Sequence, residues 1–128
     1  MRYFIDNNSN LANYSQLMNQ IKEKIYNHEL KENDQLPSIR LLAKELRIAI
    51  ITVKRAYDEL EKEGFVESRQ GKGCFVKKQF LPQLLEDKKN ELQNELIQII
   101  DEYKKYGITQ EDVSTIFKII EKRENYGK

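Results

Sequence analysis

A chain of 128 residues with 39% hydrophobic and 34% charged residues has material for one small domain, or a domain and a short appendage, under a very polar surface. The single cysteine excludes an internal disulfide and fits a reducing compartment. No apolar run reaches membrane-spanning length and no signal-peptide core opens the chain, so a cytoplasmic protein without a membrane partner is expected. The net charge of +1 is uninformative, but its distribution is not: Leu36 to Phe80 holds ten basic against six acidic residues, while both flanks are slightly acidic. A local positive excess suits a phosphate-facing surface.

In chain order, Tyr3-Phe4-Ile5 and the polar run to Asn13 predict a short edge strand or docked arm. Tyr14, Leu17, Met18, Ile21 and Ile25 recur at steps of three and four and predict a first helix, capped by Asn13 and fraying near Asn27–Glu29. Asn33-Asp34 marks a turn, and Ser38 after Pro37 is a candidate N-cap for a short second helix carrying Ile39, Leu42, Ala43 and Leu46. Arg47-Ile48-Ala49 leaves room only for a tight turn before a third helix, whose buried stripe is Val53, Ala56, Tyr57 and Leu60 and whose end is Gly64. Phe65–Ser68 and Cys74–Lys77 read as two strands around a glycine-rich tip, Arg69-Gln70-Gly71-Lys72-Gly73. Cys74 reads as a small apolar residue on a strand, with redox sensing as the alternative.

Beyond Pro82, which breaks the connection, Leu85, Leu92, Leu96, Ile99 and Tyr103 mark a long helix stopped by Gly107. Thr109 with Asp112 resembles a capping box for a last helix bearing Val113, Ile116, Phe117 and Ile120. Leu84, Ile97, Ile100 and Ile119 widen the apolar surface beyond what two helices can cover, which points to a second copy of the chain. The candidate dimer interface is Leu85, Leu92, Leu96, Ile99, Tyr103, Ile116 and Ile120. The fold class is mainly α with a small β-wing: a winged helix-turn-helix over residues 1–78 and a two-helix dimerisation tail over residues 79–128.

Leu36-Pro37-Ser38-Ile39-Arg40, Thr52-Val53, Ala56-Tyr57, Leu60-Glu61 and Gly71-Lys72-Gly73-Cys74-Phe75-Val76, in this order, resemble the DNA-binding domain of the GntR family of bacterial transcriptional regulators, over roughly residues 14–77. The short helical tail looks like the YtrA-like subgroup. That resemblance implies a dimeric regulator, commonly a repressor and often of operons encoding ABC transporters. The sequence departs from the family at Ala49-Ile50-Ile51, where a polar or arginine-containing turn is usual, and at His28 and Asn33, where glycine is common.

A third helix in the major groove would turn Ile50, Ile51, Lys54, Arg55 and Asp58 outward. Lys54 and Arg55 suit phosphates or guanine edges, and Ile50 and Ile51 suit thymine methyl groups; the alternative is that one isoleucine is buried between helices. Arg40 matches the arginine of the family's LPSxR motif, which implies a base or phosphate contact, and the hydroxyls of Ser38 and Thr52 suit phosphate anchoring. Arg69, Gln70, Gly71, Lys72 and Gly73 are expected at the minor groove or phosphates, against the alternative of a solvated basic hairpin. Gly71-Lys72-Gly73 lacks the length and the following helix of a nucleotide-binding loop. His28, the only histidine, has no partners for a metal site or nucleophile pair, so no catalysis, metal or cofactor is expected. Double-stranded DNA carrying an inverted repeat and a second copy are the expected partners, and no effector ligand is indicated. The rival is a winged-helix module that docks on protein without binding DNA, for which the apolar Ala49-Ile50-Ile51 turn is the support.

Overall fold

The computed structural model describes residues 2–79 and 81–126; Met1, Phe80, Gly127 and Lys128, which the expected domain ranges include, lie outside the described residues. The elements are α1 (Asn13–Tyr26), α2 (Ile39–Leu46), α3 (Ile50–Lys62), β1 (Val66–Arg69), β2 (Gly73–Val76), α4 (Leu81–Tyr103), a 3-10 turn (Lys104–Tyr106) and α5 (Gln110–Tyr126). The chain is thus mainly helical with one small antiparallel sheet, as its patterning implied. It divides into two compact units, Met1–Leu84 and Leu85–Lys128. Among the described residues no helix is long and apolar enough to cross a membrane.

In the first unit the stripes of α1, α2 and α3 meet in one core. Leu17, Ile21, Val53, Ala56 and Leu60 are fully buried, and Leu42 and Ala43 of α2 close the cluster. Removing apolar area of this size from water is the main force holding three short helices together, because none is long enough to be stable alone. The start of α1 departs from expectation. Ala12, not Asn13, takes the cap position, and no side chain caps there. The arm before it secures this end of the helix instead. The buried Gln16 amide donates to the carbonyls of Asp6 and Leu11 and accepts from the Asp6 N–H. Gln20 likewise pairs both ways with the backbone of Phe4. The N-terminal segment is therefore a docked arm and not a strand.

Ser38 caps α2, its hydroxyl accepting from the Leu41 N–H at 3.1 Å. Arg47 ends that helix in the left-handed region at φ 57° and turns the chain toward α3 within two residues. The turn is anchored by Ile48, which packs on the core while its N–H donates to the Ala43 carbonyl. Gly64, at φ 85°, closes α3 as expected.

Both strands lie one residue from their expected positions. The Phe65 N–H is used to finish α3, donating to the Leu60 carbonyl, and its ring enters the core, so β1 starts at Val66. Arg69 pairs with Gly73, which narrows the tip to Gln70, Gly71 and Lys72. A third strip of backbone joins the hairpin: Asn33 and Leu36 donate to the carbonyls of Val76 and Cys74, and Val76 donates to Asp34. Gln35 lies in this strip, and its side-chain amide donates to the Lys72 carbonyl at 2.8 Å. Gly73 sits directly against it at φ 116°, and a Cβ there would stand 2.7 Å from the Gln35 Nε2.

At the start of α4, Pro82 lies inside the first turn and does not break the connection, since a first-turn residue has no helical partner for its missing N–H. Leu84 packs on the core of the first unit, so it does not widen the tail's apolar surface as expected. In the second unit Gly107, at φ 84°, ends the 3-10 turn after α4. Thr109 and Asp112 form the reciprocal cap of α5: the Thr109 N–H donates to the Asp112 carboxylate at 2.8 Å and the Asp112 N–H donates to the Thr109 hydroxyl at 3.2 Å.

Gly73→Ala should destabilise the chain by about 1–3 kcal/mol, from the left-handed backbone and the Gln35 contact together. Chemical denaturation reads this directly, and an unchanged midpoint would mean that the hairpin relaxes freely. The Thr109 N–H and hydroxyl hold the Asp112 carboxyl below its ordinary value of 3.8. A lowered folded-state pKa contributes stability above the unfolded value and loses it as pH falls through the folded one. Circular dichroism should therefore show wild type more helical than Asp112→Asn at neutral pH, with the two converging below pH 3.8. A gap that stays constant to about pH 2 would exclude this role for the carboxylate.

Candidate nucleic-acid interface

The interface is built on the pairing of α2 with α3. Tyr57, buried on α3, donates its hydroxyl to the Pro37 carbonyl at 2.8 Å and so ties the entry of α2 to the middle of α3. Burial raises the Tyr57 pKa far above the ordinary phenolic value, so the hydroxyl remains a donor at any physiological pH. With the two helices locked, a groove of about 520 Å³ forms between the start of α2, the outer side of α3 and the hairpin. Ser38, Arg40 and Lys54 line its helical side, and Arg69, Gly71, Lys72 and Gly73 line its hairpin side. Seven of the twelve expected DNA-facing residues thus come together although the sequence separates them widely.

The other five lie around this groove and do not line it. Ile51 and Arg55 share a second surface along α3 with Lys54 and Asp58. Gln70 is exposed at the hairpin tip, and Thr52 is half-buried. Ile50 and Ile51 are 47% and 74% exposed, which removes the alternative that one of them fills the space between helices. Ile48 does that instead.

Several long side chains are less free than their positions suggest. Arg69 was expected to project from the tip, yet its guanidinium lies 4.2 Å from the Phe75 ring centroid and donates to Glu67 and to Asn33 Oδ1. It braces the wing, because its strand position turns it back over the sheet. The Arg55 guanidinium stacks 3.8 Å from the Tyr14 ring of α1. Lys54 meets Asp58 at 2.7 Å, one helical turn on, with both side chains at least half exposed. Such a pair contributes only a few tenths of a kcal/mol, roughly, so a phosphate can displace the carboxylate.

The first half of α3 carries Lys54 and Arg55, and the second half is mainly acidic, with Lys62 at its end. Beyond Asp58 come Glu59, Glu61 and Glu63, and each has a partner, Glu59 meeting Lys62 at 3.5 Å. Glu61 accepts from the Ser68 N–H and hydroxyl, holding β1 against the helix, and Glu63 pairs with Lys22 of α1 at 2.7 Å. Burial and the nearby Glu61 push the Cys74 thiol up to about 11, which keeps it protonated and favours its apolar role over redox sensing.

Sequence reasoning missed Asn33 and Gln35, whose amides fix Arg69 and Lys72 across 36 and 37 residues of chain. No local signal marks them, since each is an ordinary polar residue whose role exists only once the hairpin folds back.

In the second unit, an apolar groove of about 240 Å³ runs between α4 and α5. Leu96, Ile99, Tyr103, Ile116 and Ile120 of the expected dimer set line it. Leu85 and Leu92, each 56% exposed, lie on the earlier turns of α4 and outside it.

Comparison with known proteins agrees with this geometry. The model of the gntR family of bacterial regulatory proteins matches residues 13–76, the span of the three helices and the hairpin. The HTH-type transcriptional repressor YtrA of Bacillus subtilis is 35% identical over 96 residues, 75% of this chain and 74% of that protein. The HTH-type transcriptional regulator YhcF of the same organism is 31% identical over 101 residues, 78% of this chain and 82% of that one. A crystal structure of a transcriptional regulator from Oenococcus oeni matches with a TM-score of 0.70 at 31% identity, covering 90% of this chain and 98% of that one. With the family model, the length of the shared alignment and the winged-helix geometry in agreement, the chain belongs to the GntR family and is a DNA-binding transcriptional regulator.

Proposed function

We propose that the chain acts in the cytoplasm as a homodimeric repressor that occupies an inverted-repeat operator. The observation that carries this reading is the single groove into which α2, α3 and the hairpin bring Arg40, Lys54 and Lys72. In the proposed complex α3 enters the major groove, with Lys54 and Arg55 exchanging Asp58 and Tyr14 for phosphates or guanine edges. Ser38, Arg40 and Thr52 anchor the adjoining backbone, and Gln70 and Lys72 reach the minor groove or its phosphates over Gly71 and Gly73. Arg69 holds the wing in shape for that contact.

The reader of residues 1–78 would be doubled through the tail of residues 79–128. Leu85, Leu92, Ile99, Tyr103, Ile116 and Ile120 are all exposed in the single chain, and with Leu96 they form the proposed interface. Apolar area of this extent gains roughly 25 cal/mol per Å² on burial, and a second identical face is the simplest cover. Two-fold pairing sets the half-site centres about 10 base pairs, or a multiple, apart. Repression would follow from occupying a promoter, and an operon encoding an ABC transporter is the target that the resemblance to the YtrA-like subgroup implies.

A gel shift with duplex from the region of its own gene tests the reading against the protein-docking alternative. Binding should weaken steeply with salt as phosphate counterions are released, and salt-insensitive or absent binding would overturn it. Lys72→Ala should lower affinity for every duplex alike and reduce the salt slope by about 1, whereas loss for one sequence only would place Lys72 at a base. Leu92→Lys with Ile99→Lys should yield monomers by sedimentation and a lower operator affinity together; a variant that stays dimeric would refute an interface at those positions.

A further inference from the structure

The first turn of α3 is the least explained part of the reader. Its two leading residues are isoleucines, they are adjacent, and both are exposed. The core does not need them, because Ile48 packs the turn from one side and Val53 from the other. Helix propensity does not ask for them either, since β-branched residues lose side-chain freedom in a helix. A single exposed apolar residue needs no explanation. Two together at the tip of the helix that faces a basic groove are a different case.

The chemistry around them narrows what they can touch. Lys54 and Arg55 are held by Asp58 and Tyr14 respectively. The cap residue is alanine, so no side chain caps the helix, and Thr52, the polar residue of the first turn, is half-buried. The most exposed part of this first turn is therefore the hydrocarbon of Ile50 and Ile51. In the major groove every base edge offers hydrogen-bonding groups, and the C5-methyl of thymine is the apolar feature that a branched side chain can cover.

We propose that Ile51, supported by Ile50, makes this regulator specific for thymine, with at least one thymine in each half-site placed so that its 5-methyl group packs on the first turn of α3. The proposal rests on the DNA-binding reading above. It also gives the exposed isoleucines a role in choosing sequence and not merely in affinity, because removal of a methyl group leaves every Watson–Crick hydrogen bond and every phosphate in place.

The test uses the full chain and duplexes enriched by it from a randomised library. In the preferred duplex each dT is replaced in turn by dU, and affinity is read by fluorescence anisotropy at one fixed salt concentration. Covering a methyl group corresponds to about a fourfold gain in affinity, so one dU position in each half-site should weaken wild-type binding by about that factor. Ile51→Ala should bind the dT and dU duplexes equally at that position, while Ile51→Val keeps most of the difference. Because Ile51 is 74% exposed, these variants should retain the wild-type thermal midpoint, which is checked alongside. A scan in which no dU replacement matters overturns the proposal, as does a methyl effect that persists unchanged in Ile50→Ala and Ile51→Ala. Failure of any duplex to enrich would instead overturn the DNA-binding reading itself, so the two failures are distinguishable.

Discussion

The strip Asn33–Pro37 is the seam on which the reader depends. On one side its backbone completes the hairpin, through the bonds of Asn33, Asp34 and Leu36 to Val76 and Cys74. On the other side Pro37 accepts the Tyr57 hydroxyl from within α3. An isolated two-stranded hairpin is marginal in water, and an eight-residue helix is no better. Each becomes stable here because the same short strip clamps both to α3. The groove between helix and wing is thus set by hydrogen bonds along its floor, made by Leu36, Pro37, Tyr57 and Cys74, which line it. Several lining residues carry structural duty as well, among them Ser38, Gln35, Tyr57 and Arg69.

A division of labour shows in the charges. The chain is nearly neutral overall, yet the groove is basic, because the acidic residues of α3 face elsewhere or have partners: Glu61 holds β1 and Glu63 holds Lys22. The outward cations are not idle before DNA arrives. Lys54 rests on Asp58 and Arg55 on Tyr14, in contacts weak enough to exchange. Holding a long side chain near its working position lowers the entropy lost on binding. The first turn of α3 adds the exposed hydrocarbon of Ile50 and Ile51 ahead of these cations in the chain, with Thr52 half-buried beside it, and the proposed thymine contact would rest on it.

The tail follows a different logic. Its helices carry correct local signals at their boundaries, in Pro82, Gly107 and the Thr109–Asp112 cap, but among its described residues only Val113 is buried. A pair of helices with one buried side chain has almost no core of its own. The apolar groove between α4 and α5 is accordingly the part of the chain with most to gain from a covering surface.

Local physics determined much of this in the sequence alone. Apolar periodicity placed all five helices, Ser38 and Gly64 marked their ends, and the glycines marked a hairpin tip, because each signal acts within a few residues of itself. The positions that matched the family followed from order and spacing. Tertiary structure decided the rest. Asn13 lost its capping role to an arm that folds back onto Gln16 and Gln20. The strands moved by one residue because Phe65 belongs to the core. Arg69 became a brace because Asn33 lies beside it, and Gln35 became the tie of the hairpin tip because its amide meets the Lys72 carbonyl. The exposure of Ile50 and Ile51 was equally beyond sequence, since it depended on which of three nearby isoleucines the core would accept. Contacts between residues 36 or 37 positions apart leave no trace in local pattern, and those are the contacts that shape the reader.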